Sequence, residues 1–576
     1  MKSNLFLRIL AGVFFTASVV TSVAQDNLGA ECGCPSVSSR DDIPANVINL
    51  SSLATAGVLT ASTTLTCDKM YILDTKIYVP NGLTLTIMPG TVIKGKSSGT
   101  NYANATAIIV QRGGKIMADG TKSCPIVFTS EFDDMSGSYA LTNVGQWGGI
   151  AILGTATNNL KVGQTYCYLN DGVGFVEGFT GAGTPSNLYG AGDAAFPTFN
   201  DNDNSGIMRY VKIKHAGALL ADANELNGLS LGSVGRGTII ENIEIVANAD
   251  DNIELFGGTV NLKYITTLFG DDDMFDWDLG WNGKAQFLFG IAGDSITGVH
   301  STDSGFEMDG DDGIAATGLR SNPKIYNATV VGNGHIMPTK DNTGPAGLMA
   351  KELTAGEIYN SVFANFRTGL HVTSGTTRQA NTGDAYDNWT NGTKQGTASV
   401  AQSLKVKNNT FIGFGNNPTQ AYHITKGALT SGKNATIAYK AATAASAEDI
   451  TQFTTTDKNA VVASVPGIDY NWAWNEHFDG ETVDNDVPKL SYSNNPFHMT
   501  PTTNIASDVT PPADGFFSVV SYRGAFDATK GSWLTEWASN QILTSLASNP
   551  TDLDNNGVTN IDDFSIFLNE FGKVNK

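Results

Sequence analysis

Ile253-Glu254-Leu255, Phe275-Asp276-Trp277-Asp278 and Phe306-Glu307-Met308-Asp309 repeat one pattern, in which apolar residues alternate with acids. A period of two belongs to a strand with one buried face and one wet face. Glu254 precedes Asp276 by 22 residues, and Asp276 precedes Glu307 by 31. Those intervals suit successive coils of a parallel β-helix, each stacked on the one before. Stacking in register predicts an outward column of Glu254, Asp276 and Glu307, and a second column of Asp278 and Asp309. The intervening Ile253, Leu255, Phe275, Trp277, Phe306 and Met308 then face inward. At a rung spacing of about 4.8 Å, two carboxylates repel by about 0.9 kcal/mol in water and about 3.5 kcal/mol at an effective dielectric of 20. Such a column either recruits a cation, for which Ca2+ with its all-oxygen coordination is suited, or splays apart as a solvated face.

A second repeat supports the same architecture. Ile325-Tyr326-Asn327-Ala328-Thr329-Val330-Val331, Ile358-Tyr359-Asn360-Ser361-Val362-Phe363 and Val406-Lys407-Asn408-Asn409-Thr410-Phe411-Ile412 align without gaps, and Ile240-Glu241-Asn242-Ile243-Glu244-Ile245 fits the same template. Asn tolerates the left-handed backbone of a sharp corner, and stacked amides hydrogen-bond from coil to coil. Leu83–Ile87, Thr91–Ile93, Ala107–Val110, Pro125–Phe128 and Gly149–Leu153 read as earlier rungs between Gly- and Asn-rich turns. No helix-length amphipathic segment separates them, which excludes an α/β doubly wound fold. The expected class is all-β: a parallel β-helix over 81–470, interrupted near 178–205, 336–350, 374–400 and 415–470. An N-terminal segment and cap over 25–80 precedes it, and a capping segment over 471–543 follows. Trp472, Trp474, Trp533 and Trp537 are expected to close the open end that a solenoid must cover.

Composition narrows the function. The 576 residues carry 35 Lys and Arg against 56 Asp and Glu, a net −21. Between Asp250 and Asp312 stand 14 acids against only Lys263 and Lys284. This surface repels nucleic acid and anionic membrane and attracts cations or basic partners. Lys2 and Arg8, an apolar stretch from Ile9 to Val20 and small residues at Ser22-Val23-Ala24 read as a signal peptide over 1–24, so the mature chain is expected outside the cell. No later stretch is long and apolar enough to be a membrane helix. In an oxidising compartment Cys32, Cys34, Cys67, Cys124 and Cys167 imply one or two disulfides near the N-terminal end with one thiol over. Cys32-Gly33-Cys34 as a metal or redox pair has no nearby His or second cysteine pair to support it.

From about residue 80 to 540 the chain resembles a family of secreted bacterial right-handed β-helix surface proteins. The resemblance rests on Leu83-Thr84-Leu85-Thr86-Ile87-Met88-Pro89-Gly90-Thr91-Val92-Ile93, Gln146-Trp147-Gly148-Gly149-Ile150, Glu225-Leu226-Asn227-Gly228-Leu229-Ser230-Leu231, Phe256-Gly257-Gly258-Thr259-Val260 and Tyr522-Arg523-Gly524-Ala525-Phe526. It implies a right-handed solenoid and an exported location rather than a reaction.

The C-terminal stretch 544–576 holds Asp552-Leu553-Asp554-Asn555-Asn556-Gly557-Val558-Thr559-Asn560-Ile561-Asp562-Asp563. Asp552, Asp554, Asn556, Asn560 and Asp563 occupy the first, third, fifth, ninth and twelfth positions of an EF-hand-type loop, Val558 offers its carbonyl, and Gly557 makes the turn. The segment is similar to one calcium loop of a dockerin. Dockerins carry two such loops, so the single loop here supports calcium binding but leaves cohesin docking without a basis. Catalysis has less support than binding, because the acidic window offers almost no basic residue to act as a base or to hold a uronate. His215, His300 and His335 fit no nucleophile or paired-histidine metal motif. The sequence therefore points to an exported surface or matrix protein that adheres to glycans or envelope proteins with structural calcium. The alternative is a calcium-dependent polysaccharide lyase or hydrolase tethered through its C-terminus.

Overall fold

The computed structural model describes residues 29–99, 104–136, 139–164, 166–176, 187–221, 224–292, 302–310, 319–334, 346–366, 368–374, 385–390, 403–414, 421–426, 442–443, 447–468, 499–534 and 537–538. They form a right-handed parallel β-helix. Each coil gives one strand to a 13-stranded sheet and one or two to an 18-stranded sheet. Pairing between successive coils is parallel throughout the body, as in Ile239–Val246 against Asn261–Leu268 and Ile253–Phe256 against Phe275–Asp278. Rungs already begin at Val47–Asn49 and Met70–Leu73, upstream of the expected boundary at 81. Ala346–Ala350 and Tyr422–Lys426, which fall inside stretches read as insertions, are also rungs.

The large sheet is two faces joined at a corner. In Gly206–Lys214, Ile239–Val246, Asn261–Leu268 and Lys284–Ile291 a single strand turns that corner, whereas later coils break there into Lys324–Tyr326 and Thr329–Gly334, or Gly356–Tyr359 and Val362–Phe366. One residue per coil makes the turn in the left-handed region: Tyr210, Asn242, Tyr264, Phe287, Asn327, Asn360 and Asn408, with φ between 49° and 60°. The Asn corners were expected, and the aromatic ones were not. An aromatic residue is strained at that φ by about 1–3 kcal/mol. Long-range packing supplies the compensation: Tyr264 stacks on Phe287 at 5.0 Å, Trp533 meets Tyr264 edge-on at 5.3 Å, and Trp537 meets Tyr210 at 5.6 Å.

Inside, like residues stack on like. Ile253, Leu255, Phe275, Trp277, Phe306 and Met308 lie in the core as the alternation requires. The aromatic column continues through Phe306–Phe363 at 5.6 Å and Phe363–Phe411 at 5.4 Å. At the N-terminal end, disulfides Cys32–Cys124 and Cys34–Cys67 fasten the first residues to the early coils, and Cys167 is free. Gly90, at φ 78°, allows this close approach, since a Cβ there would meet Cys34 Sγ at 2.8 Å.

Two segments run along the axis rather than around it. Residues 154–160 follow the turns after the smaller sheet, with Ala156 N–H donating to Ser233 O, Gly258 N–H to Thr157 O, and Asn159 N–H to Leu279 O. The C-terminal residues 505–534 and 537–538 lie along the corner. Asn408 Nδ2 donates to Ser507 Oγ, Asn360 Nδ2 to Val509 O, and Asn327 Nδ2 to Tyr522 O. Trp533 and Trp537 therefore cover the flank of the solenoid and not its open end. Trp472 and Trp474 lie outside the described residues.

Candidate functional site

On the outer face of the 13-stranded sheet one column can be followed through consecutive registers: Ile109, Ala151, Ser230, Glu254, Asp276, Glu307, Met349, His371 and His423. Its first part is apolar because an inserted hairpin covers it, packing Leu160, Val176 and Tyr189 against Ile109 and Ala151. Past the edge of that cover the column becomes acidic. Glu254, Asp276 and Glu307 do stack on adjacent rungs, but the expectation of a wet face needs correction. Glu254 and Asp276 are only 6% and 8% exposed, while Glu307 is half-buried.

The turn before the Ile253–Phe256 strand adds Asp250 and Asp251, and the next coil's turn adds Asp272 and Asp273. Carboxylate oxygens of Asp251, Glu254 and Asp276 all lie within 4.8 Å of one another, as do those of Asp250, Asp251 and Asp272. Asp273 N–H donates to Asp251 Oδ1 at 2.9 Å, and Asn227 Nδ2 donates to Glu254 Oε2. Burial and then mutual repulsion push the Asp251 and Asp276 carboxyls well above the usual range. Among the described residues, Asn227 Oδ1, Ser230 Oγ, Asn248 Oδ1 and Asp276 Oδ1 are buried without a hydrogen-bond partner. Buried oxygens without donors, together with carboxylates whose close approach disfavours their charged forms, suit a hard cation. Among the described residues, Asp251, Glu254 and Asp276, and beside them Asp250, Asp251 and Asp272, are groups that could hold a metal ion.

The second predicted column holds Asp278 and Asp309 on neighbouring rungs, linked by Asp309 N–H donating to Trp277 O at 2.9 Å. The following rung places Lys351 beside it. Its ammonium contacts Glu307 Oε1 and lies 3.3 Å from Asp309 Oδ2. The acidic strip therefore does carry a base-type residue, contrary to the sequence reading. Lys351 was missed because 42 residues separate it from Asp309, far more than the earlier coil intervals. The alternation in Gly347-Leu348-Met349-Ala350-Lys351 was the available signal. Asp251 was missed because it sits in a turn, where strand periodicity says nothing.

His215 is a core residue. Its Nδ1 contacts Asn143 O at 2.8 Å, Tyr139 packs edge-on against it, and burial pushes its pKa down to about 4. Asp552, Asp554, Asn556, Val558, Asn560 and Asp563 lie outside the described residues, as do His300, His335 and the segment 1–24. No described helix is long and apolar enough to cross a membrane.

No curated protein and no solved structure shows significant similarity to the chain. Residues 57–388, more than half of the chain, match the pectate-lyase-like beta helix domain, and the chain belongs to that family.

Proposed function

We propose that this is an exported polysaccharide-binding protein that engages its glycan on the outer face of the 13-stranded sheet, through a calcium ion held by Asp251, Glu254 and Asp276. The observation that carries the reading is the buried carboxylate triad, whose Asp276 Oδ1 has no hydrogen-bond donor, as Ser230 Oγ on the adjoining rung has no partner. A divalent cation there removes the repulsion and gives those oxygens a ligand, and the partly exposed Asp250 and Asp272 beside Asp251 leave that side of the cluster accessible to sugar hydroxyls or carboxylates. Family membership supports the glycan, and the signal-like N-terminus supports export. The dockerin-like loop at 552–563 supplies a second candidate calcium site that could tether the chain.

A lyase is the second reading, favoured by one observation, the placement of Lys351 beside the acids. In a metal-dependent β-elimination the cation acidifies the proton next to a uronate carboxylate and a basic side chain removes it. Binding is preferred because Lys351 is committed to ion pairs with Glu307 and Asp309 and so is not free to take up a proton. Polygalacturonate incubated with the protein and calcium distinguishes the two. Unsaturated products appearing in ultraviolet absorbance establish the lyase. Calcium-dependent retention of the polymer without products, abolished by Asp276→Asn, establishes binding. Retention that ignores both calcium and Asp276→Asn rejects the proposed site.

A further inference from the structure

The outer face of the larger sheet carries charge in a different arrangement. On its early rungs Asp119, Arg209, Glu241 and Lys263 alternate in sign along one column, with Arg209 bridging Asp119 at 2.8 Å and Glu241 at 3.2 Å. Further along, alternation fails. The neighbouring column reads Lys284, Lys324, Glu357, Lys405, so two lysines stand directly paired on adjacent strands. Lys407 lies beside Lys405 at the end of the column formed by Tyr326 and Tyr359.

Each ammonium has an acidic neighbour: Lys284 meets Asp514 at 2.6 Å, Lys324 and Lys405 share Glu357 at 3.9 and 2.9 Å, and Lys407 reaches Asp457 at 3.2 Å. The partners are less accessible than the lysines. Lys324 and Lys405 are 48% and 40% exposed against 19% for Glu357, and Lys407 is 34% exposed against 1% for Asp457. Solvent therefore meets ammonium groups here, on a chain whose net charge is −21. The pairs of Lys284, Lys324 and Lys405 lie at the surface, where such ion pairs are weak and exchange readily with an outside anion.

We propose that this face is a second glycan site, which binds a linear anionic polysaccharide lying along the solenoid axis. Lys284, Lys324, Lys405 and Lys407 would contact its carboxylates. The rungs repeat at about 4.8 Å, close to the advance of one pyranose unit in an extended chain, so a uronate polymer presents a carboxylate at nearly every rung. Tyr326 and Tyr359 stack at 5.2 Å beside the lysines, and burial pushes the Tyr359 phenol up to about 12, which keeps it a neutral donor. The Tyr326 ring is only 4% exposed and one face of Tyr359 is covered by it, so neither ring stands free as a two-sided stacking platform for nucleobases. The site needs no metal and stands apart from the carboxylate triad.

The test is affinity electrophoresis of the full chain in gels containing polygalacturonate, amylose or single-stranded DNA, with excess chelator to silence the cation site. Retardation by polygalacturonate alone is expected. Lys324→Gln with Lys405→Gln should weaken it by about tenfold at low salt. The same charge change at Lys115 and Lys122, on an early rung and the turn after it, should leave it unaltered. Glu357→Gln should strengthen retention, a gain that misfolding cannot produce. Equal retention by wild type and the Lys324/Lys405 variant, or retention by DNA as strong as by polygalacturonate, overturns the proposal. Because chelator is present throughout, neither result bears on the calcium-dependent site, which Asp276→Asn tests separately.

Discussion

Lys351 sits one rung from Glu307 and joins its carboxylate, although 44 residues separate the two in sequence. The pair is half-buried, and Asp309 shares the same ammonium. Removing the lysine therefore leaves two carboxylates side by side on one rung without a counter-charge.

Lys351→Met should lower stability by about 1–3 kcal/mol, the cost of stranding partly buried charge. Adding Glu307→Gln to that variant should recover part of the loss. The check is a double-mutant cycle by chemical denaturation; strict additivity of the two changes would show that the contact carries no energy.

Acidity should act on Asp251 and Asp276 in an unusual direction. Their folded-state pKa values are raised above 3.8, so the folded form binds protons more tightly than the unfolded chain. Their stabilising contribution is complete below 3.8 and is lost as pH rises toward the folded values. In chelator the melting temperature of wild type should therefore fall with rising pH relative to Asp251→Asn/Asp276→Asn. Calcium should reverse the fall at neutral pH, by about 3 kcal/mol at a hundredfold excess over Kd.

His215 should oppose that trend on the acid side. Its folded pKa of about 4 lies below the ordinary 6.5, so its contribution is complete above 6.5 and is lost as pH drops toward 4. The loss amounts to about 3 kcal/mol. His215→Gln should flatten this part of the stability profile; an unchanged slope would mean that the imidazole charges in place.

The disulfides close loops with sequence separations of 92 and 33 residues. In the chain-entropy view these contribute about 4.6 and about 3.7 kcal/mol. Reduction should destabilise the N-terminal coils first, seen as faster amide exchange in Tyr71–Leu73 and Thr84–Ile87 than in Ile253–Phe256.

Much of the solenoid could be read from side-chain alternation, because a strand repeats every two residues whatever the length of the loop between coils. Asn327, Asn360 and Asn408 marked corners because Asn accepts the left-handed backbone locally. Tyr210, Tyr264 and Phe287 occupy the same corners, yet their strain is relieved by Trp533, Trp537 and one another, partners that no local pattern reveals. The site divides in the same way. Glu254, Asp276 and Glu307 lie on strands and declared themselves, whereas Asp251 lies in a turn and Lys351 beyond a long excursion of the chain. Burial of Glu254 and Asp276 was equally hidden, since alternation separates the two faces of a sheet without saying which is covered.

A stack of coils held only by its nearest neighbours can fray from either end, one layer at a time. The segment from Ser507 to Trp537 touches coils from Asn408 back to Tyr210, so those layers cannot part individually without first losing a shared binding strip. Unfolding over that span becomes closer to all-or-none, and resistance to proteolysis in these coils depends on residues more than a hundred positions downstream. The same geometry sets an order of assembly: coils formed early in synthesis keep an apolar flank open until Ala525, Phe526, Leu534 and Trp537 arrive to close it.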